Sequence, residues 1–215
     1  SKFTAWTVDG NVSYRGSSSM RFDVPNENDP EGNYAGGILR IDGAGRNLTG
    51  YDALTFWAKA SQGVTIGEIG FGEDFFPNKY IATRQNVSLG TAWVKYIIPI
   101  PDASKLLQEK GMFRYSAGTQ NTNGLGYTFW IDDLKFEKLG TILPLQASIM
   151  NGNNVVRSTF VGVTTSVTGI ISSFNMPNGS NQSVTIAPAF LNFVSSNPAV
   201  ATVSDTGVVT PLTVG

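Results

Sequence analysis

The stretch Tyr51-Asp-Ala-Leu-Thr-Phe-Trp-Ala-Lys-Ala60 decides the fold class. Its apolar residues Leu54, Phe56 and Ala58 alternate with Trp57 and other side chains. Because successive side chains of a β-strand point to opposite faces, Leu54 and Phe56 are expected in a core and Trp57 on the other face. A Trp between Thr and Lys is either a binding platform or a residue covered by a loop. The pattern predicts a half-buried strand that carries an aromatic ring outside the core.

The same alternation returns in residues 127–136 (Tyr-Thr-Phe-Trp-Ile-Asp-Asp-Leu-Lys-Phe), again with a Trp, Trp130, off the apolar parity. Further strands are predicted from apolar alternation at 19–24, 34–41, 64–71, 80–84, 93–100 and 113–115. Residues 102–111 are the single helical candidate, with Asp102 or Ser104 as its cap. Roughly eight strands in about 140 residues predict an all-β jelly-roll β-sandwich.

Composition excludes several classes of function. The chain of 215 residues has a net charge of −1, which argues against a nucleic-acid partner because phosphate binding needs a basic surface. It contains no Cys and no His, so disulfides, thiolate or imidazole metal sites and Ser-His-Asp triads are excluded. No apolar run approaches the ~18 residues that a membrane span needs. Paired carboxylates, Lys or Tyr are the residues left for catalysis.

Charge divides the chain into two parts. All but two of the charged residues precede residue 139, and the rest of the chain holds only Arg157 and Asp205. So abrupt a change predicts a first domain at 1–138, a linker at 139–144 and a second domain at 145–215. The second domain is rich in Val, Thr, Ser and Asn, and a β-hairpin is predicted at 200–210 around the turn 204–207 (Ser-Asp-Thr-Gly).

Residues 1–138 resemble a carbohydrate-binding module of the galactose-binding-like jelly-roll superfamily. The resemblance is carried by 14–20 (Tyr-Arg-Gly-Ser-Ser-Ser-Met), 47–57 (Asn-Leu-Thr-Gly-Tyr-Asp-Ala-Leu-Thr-Phe-Trp), Trp93 with 98–100 (Ile-Pro-Ile), and 130–134 (Trp-Ile-Asp-Asp-Leu). It implies non-catalytic binding of a polysaccharide or oligosaccharide across a concave sheet or at loops along one rim.

Residues from about 142 to 215 resemble a bacterial immunoglobulin-like (Ig-like) domain of group 2. The resemblance is carried by 193–203 (Phe-Val-Ser-Ser-Asn-Pro-Ala-Val-Ala-Thr-Val), 207–210 (Gly-Val-Val-Thr) and 214–215 (Val-Gly). Phe193 stands where that family usually has Trp, and the family has one more strand after the position of Gly215. The resemblance implies an Ig-like spacer in a longer multidomain bacterial protein that is secreted or displayed on the cell surface and is tied to glycan degradation.

Aromatic rings outside the core are candidates for stacking on sugars. The loop 70–80 (Gly-Phe-Gly-Glu-Asp-Phe-Phe-Pro-Asn-Lys-Tyr) interleaves such rings with polar side chains, and Trp57 is added from strand parity. The candidate ligand-binding residues are Tyr34, Trp57, Phe75, Phe76, Tyr80, Arg84 and Tyr115. For each ring, packing against the core or under a loop is the alternative.

Two further possibilities concern carboxylates. The jelly-roll resemblance implies a structural Ca²⁺ held by Asp132, together with Asp9 and backbone carbonyls, and exposed carboxylates in the last strand are the alternative. A glycosidase would need two carboxylates in one cleft, and Glu68, Glu73 and Asp74 are not marked as such a pair. We therefore predict that the chain is not an enzyme.

The rival to glycan binding is a structural or adhesive module whose jelly-roll contacts another protein. An open groove in which aromatic rings are bordered by Arg and carboxylates would favour sugar. A flat, extended apolar patch would favour a protein partner.

Overall fold

A computed structural model describes residues 6–76 and 78–214, in which β-strands, numbered here in chain order, form three sheets. Gly215, the second residue of the 214–215 motif, lies outside the described residues, as do the first five residues of the predicted first domain and Pro77 of the aromatic loop. Within the described ranges there is no helix long and apolar enough to cross a membrane.

The first sheet has five strands, and neighbouring strands are antiparallel. Its order is β1 (Thr7–Asp9), β2 (Ser19–Val24), β9 (Tyr127–Glu137), β4 (Ala53–Ala60) and β7 (Val94–Pro99). The second sheet has seven strands in the order β10 (Leu143–Ser148), β12 (Ile171–Asn175), β13 (Asn181–Ile186), β6 (Ala82–Leu89), β5 (Val64–Phe71), β8 (Gly111–Gly118) and β3 (Tyr34–Arg40). The third joins β11 (Thr165–Ser166), β15 (Val208–Pro211) and β14 (Ala201–Val203).

The core of the first unit (residues 6–138) is a cluster of aromatic and aliphatic side chains between the first two sheets. The Phe22 ring of β2 stacks on Phe129 of β9 with centroids 4.6 Å apart, and meets Tyr115 of β8 edge-on at 4.8 Å. Buried aromatic rings each remove on the order of 150–250 Å² from water and therefore dominate the stability of such a core. The predicted all-β jelly-roll sandwich is confirmed.

The predicted face assignment of β4 is confirmed. Leu54 and Phe56 are each 1% exposed in the core, and Trp57 lies on the opposite face of the sheet. Thr55 shares the face of Trp57 but is fully buried. Its hydroxyl donates to Glu137 Oε2 at 2.8 Å, which satisfies this buried polar group.

The predicted helix over residues 102–111 is wrong. Asp102 does cap a helical segment, since its carboxylate accepts from the Ser104 N–H at 3.0 Å, but that segment is the single 3₁₀ turn Ala103–Lys105. The next residues pair with another part of the chain instead. Leu106 O accepts from Leu48 N at 2.8 Å, and Glu109 exchanges both backbone hydrogen bonds with Arg46. Tertiary pairing thus overrides the local helical preference.

The second unit (residues 139–214) continues the second sheet of the first. Thr185 and Ile186 of β13 pair with Thr83 and Ala82 of β6, so one sheet crosses the charge boundary. The side chains of Phe174, Val184, Ile186 and Phe190 join the same buried cluster as the first unit. The segment predicted as a linker contains the start of β10 at Leu143.

Side-chain hydrogen bonds also cross between the units. Lys105 Nζ donates to Ala189 O at 2.9 Å, and Gln182 Nε2 donates to Ile97 O at 2.8 Å. Farther from the junction, β14 and β15 form the antiparallel hairpin predicted at 200–210. The contacts between the units therefore combine strand pairing, shared apolar packing and polar side chains.

Candidate functional site

Glycines form the floor of the outer face of the second sheet. A Cβ at Gly36 of β3 would lie 2.8 Å from Tyr34 Cε1, so glycine at this position lets the Tyr34 ring lie low over the strand. On β5, a Cβ at Gly67 would meet Ser116 O at 3.1 Å. Glycine inside a strand is typical of places where another group approaches the backbone closely.

Two aromatic rings flank a depression of about 390 Å³ on this floor. Tyr34 is 43% exposed and Phe75, in the loop 72–80, is 58% exposed. The depression is lined by Tyr34, Gly36, Gly37, Ile38, Glu73, Phe75, Arg114 and Tyr115. It is an open site in which exposed ring faces stand beside charged groups.

Arg114 of β8 organises the polar side of the depression. Its Nη1 contacts Glu68 Oε1 at 2.7 Å, and its Nε contacts Glu73 Oε2 at 2.6 Å. Glu68 Oε1 also accepts a hydrogen bond from Gln85 Nε2 at 3.0 Å. Charge-assisted contacts of this kind hold donors and acceptors in fixed positions.

The loop 72–80 presents its two Phe side chains with unusual backbone geometry. Phe75 has φ 72° and Phe76 has φ 150°, conformations that cost roughly 1–3 kcal/mol for a residue with a side chain. Arg40 compensates in part, because its guanidinium lies 5.7 Å from the centroid of the Phe75 ring and Nη1 donates to Asp74 O at 3.1 Å. Asn78 Oδ1 also accepts from the Asp74 N–H at 2.9 Å. Phe76 is left 91% exposed.

The other candidates present no exposed ring or side chain in this depression. Tyr115 is 3% exposed, its ring belongs to the core, and burial raises the pKa of its hydroxyl. The ring of Tyr80 packs on Phe190 of the second unit, with centroids 5.3 Å apart. Arg84 lies in a crevice between the two units beside Tyr96, where burial lowers the pKa of its guanidinium. Tyr34 and Phe75 are thus brought together, with Phe76 next in sequence, whereas Tyr80 and Arg84 lie at the junction of the units.

Trp57 lies on the outer face of the first sheet, on the far side of the sandwich. The Tyr14 ring stacks on its indole, with centroids 3.9 Å apart and planes at 13°. The backbone N–H groups of Tyr14 and Arg15 donate to Asp132 Oδ2 at 2.8 and 3.0 Å, which fastens this segment to β9. The Tyr14 ring thus covers one face of the half-buried Trp57 indole, which lies apart from Tyr34 and Phe75.

The two Asp residues expected to bind calcium accept hydrogen bonds from N–H groups. Asp9 Oδ1 accepts from Asn11 N and Oδ2 accepts from Trp130 Nε1, both at 2.9 Å. These hydrogen bonds lower the pKa of the Asp9 carboxyl, and the bond from Trp130 has the largest effect. Asp132 Oδ1 accepts from Asp133 N at 2.7 Å, while Oδ2 is used by the 14–15 segment. In the described parts of the chain, no three acidic side chains cluster as metal ligands. Each carboxylate oxygen of Asp9 and Asp132 therefore has an N–H donor as a partner.

Sequence reasoning missed the glycine floor and the pairing of Arg114 with Glu68 and Glu73. A signal for the floor was present, since Gly36-Gly37 interrupts an otherwise regular strand. No signal in the sequence indicates that Arg114 pairs with both carboxylates, because the three residues lie on β8, on β5 and in a loop after β5.

Comparison with known protein families gives a match over the first unit. The family model described as "Carbohydrate binding domain 30" matches residues 2–138 and ends before the second unit. No curated protein matches the chain. Among solved structures, a family 30 carbohydrate-binding module is 18% identical with a TM-score of 0.47, over 64% of this chain and 76% of that one.

Two further structures come from Clostridium thermocellum. A family 30 module of a cellulosomal cellulase is 17% identical, with a TM-score of 0.46 over 65% of this chain and 85% of that one. A family 11 carbohydrate-binding module, solved in complex with a β-1,3-1,4-mixed-linked tetrasaccharide, is 12% identical, with a TM-score of 0.44 over 62% of this chain and 81% of that one.

Proposed function

Because the chain belongs, through residues 2–138, to the family of carbohydrate binding domain 30, we propose that its first unit binds a polysaccharide or oligosaccharide, without catalysis, in the depression beside Tyr34 and Phe75. The observation that carries this proposal is the combination in one open site of exposed aromatic faces, a glycine floor and the Arg114 network. It is the combination that a sugar ligand requires and that a flat apolar patch lacks.

The physical basis is the two-sided chemistry of a pyranose ring. Its C–H face can cover Tyr34 or Phe75. Removing this apolar surface from water contributes about 25 cal/mol of binding free energy per Å². Its hydroxyls can exchange hydrogen bonds with Arg114, Glu68 and Glu73, each worth about 1 kcal/mol net. A few such contacts give weak to moderate affinity, because part of this free energy offsets the loss of freedom on binding.

A binding role accounts for the carboxylates of the site better than glycoside hydrolysis does. Glu68 and Glu73 share Arg114 as their partner, so both are engaged in one ion-pair network. A glycosidase instead places two carboxyl groups on either side of the scissile bond, one of them as an acid.

The wider context belongs to the same proposal. We infer that the second unit is an Ig-like spacer of the group 2 type, and that the chain is part of an extracellular or surface-displayed bacterial protein that acts in glycan degradation together with further domains. The change in charge after residue 138 and the small all-β second unit support this inference. A structural Ca²⁺ at Asp9 and Asp132 stays a prediction from the resemblance to jelly-roll modules.

Calcium is tested by thermal unfolding in calcium and in chelator. A calcium-dependent rise in Tm that is lost in Asp132→Asn would support the site. Equal Tm values under both conditions would leave the two carboxylates as hydrogen-bond acceptors.

Glycan binding is tested by affinity gel electrophoresis and calorimetry of the full chain against β-glucans, mixed-linked glucans, xylans, mannans and pectic glycans. We expect retardation by at least one of them, lost in Tyr34→Ala and Phe75→Ala. Tyr51→Ala is the matched control, because Tyr51 is a similarly exposed ring (40%) that lines a different pocket. If the folded protein binds no glycan of the panel, the result would favour the rival function, a contact with another protein through Phe75 and Phe76.

A further inference from the structure

A crevice separates the two units where their shared sheet opens. β6 and β13 pair at Thr83–Thr185 and Ala82–Ile186 and then diverge. Between the rest of β6, the edge strand β7 and the turn 176–182 lies a space of about 300 Å³. The polar side chains that line it are Arg84, Lys95, Tyr96, Asn178, Ser180 and Gln182.

Arg84 and Lys95 are the cations of this crevice, and within residues 6–76 and 78–214 the Arg84 guanidinium has no hydrogen bond or ion pair with a protein group. Other arginines of the chain have such partners: Arg21 contacts Asp23 at 3.0 Å, and Arg114 contacts two Glu residues. Burial lowers the pKa of the Arg84 guanidinium. A half-buried guanidinium without a protein partner can still pair with a carboxylate of a ligand, because its planar donors match the two carboxylate oxygens.

The other polar groups of the crevice do not neutralise Arg84. Lys95 is already paired with Glu137 at 2.9 Å, and the Tyr96 hydroxyl donates to Ser88 O at 2.7 Å. No acidic residue lines the space, and the second unit contains a single one, Asp205, in the distant turn before β15. The crevice therefore carries the unmatched positive charge of Arg84.

Uncharged donors and acceptors accompany this charge. Gln182 Nε2 is occupied by Ile97 O, which leaves its Oε1 as an acceptor. Asn178 Oδ1 accepts from the N–H and hydroxyl of Ser180 at 3.0 and 2.7 Å, which leaves its Nδ2 as a donor. A ligand that suits this set has one carboxylate and neighbouring hydroxyl groups.

We propose that the crevice between the units is a second ligand site, which binds a uronate unit of an acidic glycan through its carboxylate on Arg84 and its hydroxyls on Asn178 and Gln182. The site is separate from the Tyr34 depression, and it needs both units because Arg84 comes from β6 and the amides come from the turn 176–182 and the start of β13. It does not depend on the binding of a neutral glycan to the first unit.

The experiment is a calorimetric and NMR titration of the full chain with an oligogalacturonate and with the matching neutral galactose oligomer. We expect the acidic oligomer to bind, the neutral one to bind at least tenfold more weakly, and affinity to fall as salt is raised because a charge contact is screened. Arg84→Met should lose at least tenfold in affinity for the acidic oligomer, and Asn178→Ala should lose severalfold. Arg84→Lys, which keeps the charge but not the planar donor fork, should lie between wild type and Arg84→Met.

Controls separate this site from the depression and from simple anion binding. Arg46→Met removes an exposed arginine outside the crevice and should change nothing, and Tyr34→Ala should leave oligogalacturonate affinity unchanged. Equal binding of both oligomers, or full affinity in Arg84→Met, would overturn the proposal. The proposal would also fail if acetate and inorganic phosphate displaced the bound oligomer at the same concentration as galacturonate does, because that result would indicate an anion site without sugar recognition. Loss of neutral-glycan binding in Tyr34→Ala bears only on the first site.

Discussion

The Tyr14 ring lies flat on the indole of Trp57, 3.9 Å between centroids, on the side of the sandwich opposite Tyr34. The Trp57 ring is therefore partly covered within the protein, whereas the Tyr34 ring is exposed above a glycine floor. The same chemical type has two environments, because the segment around Tyr14 folds over one face, whereas among residues 6–76 and 78–214 no segment leaves the Tyr34 ring less than 43% exposed.

Trp57→Ala should destabilise the protein without weakening glycan binding. Loss of the stacked ring is expected to lower the free energy of unfolding by roughly 3 kcal/mol, the low end for truncating a large aromatic residue. Urea unfolding and affinity electrophoresis, with Tyr34→Ala alongside, measure both effects. A folded Trp57→Ala protein that no longer binds the glycan would place Trp57 in the binding surface after all.

Gly36→Ala should weaken glycan binding more than it weakens the fold. The new methyl group would lie 2.8 Å from Tyr34 Cε1, so the ring must move away from the floor, and we expect affinity to fall severalfold. Gly90→Ala is the control, since no atom lies within 4 Å of its Cβ position. Unchanged affinity in a folded Gly36→Ala protein would show that the position of the Tyr34 ring does not matter for binding.

Arg114→Ala should affect both stability and binding. Two mostly buried carboxylates would lose their common partner, which we expect to cost about 2 kcal/mol of unfolding free energy, below the 3–5 kcal/mol of a fully buried pair. Arg21→Ala, which breaks a more exposed pair with Asp23, should cost less than about 1 kcal/mol. Chemical unfolding distinguishes the two variants, and similar losses would contradict the central position of Arg114.

The two units should unfold in one calorimetric transition, because they share a sheet and a buried cluster. Phe190→Ala removes the ring that packs on Tyr80 and should lower stability by roughly 3 kcal/mol, so that the second unit loosens first. Two separate transitions in the unmodified chain would mean that the β6–β13 pairing does not couple the units.

The Asp9 carboxylate should contribute stability that is lost in acid. Its pKa in the folded state lies below the usual 3.8, mainly because Trp130 Nε1 donates to it, so folding favours the ionised form. That stability is present above about pH 4 and disappears as the pH falls through the lower folded-state pKa. Trp130→Phe removes the bond and should raise the pKa of Asp9 in an NMR titration. An unchanged pKa would assign the shift to the remaining neighbours of Asp9, which are the Asn11 and Val12 N–H groups and Arg21.

The sequence by itself determined several strands and the faces of β4. Alternation over 53–60 and 64–71 predicted β4 and β5 with the bounds that the structure has, because the period of two is a local property of an extended chain. The same reasoning failed at 102–111, where pairing of Glu109 with Arg46 replaced the helix that local preference favoured.

Only the tertiary structure decided which side chains meet. Tyr34, Arg114 and Glu68 come together because β3, β8 and β5 are neighbours in the sheet, an order that differs from their order in the chain. The same sheet order puts Arg84 against the turn 176–182 of the other unit. Alternation assigns each residue to a face, but sheet order and loop cover depend on contacts between residues far apart in sequence, and these select the rings that stay open to a ligand.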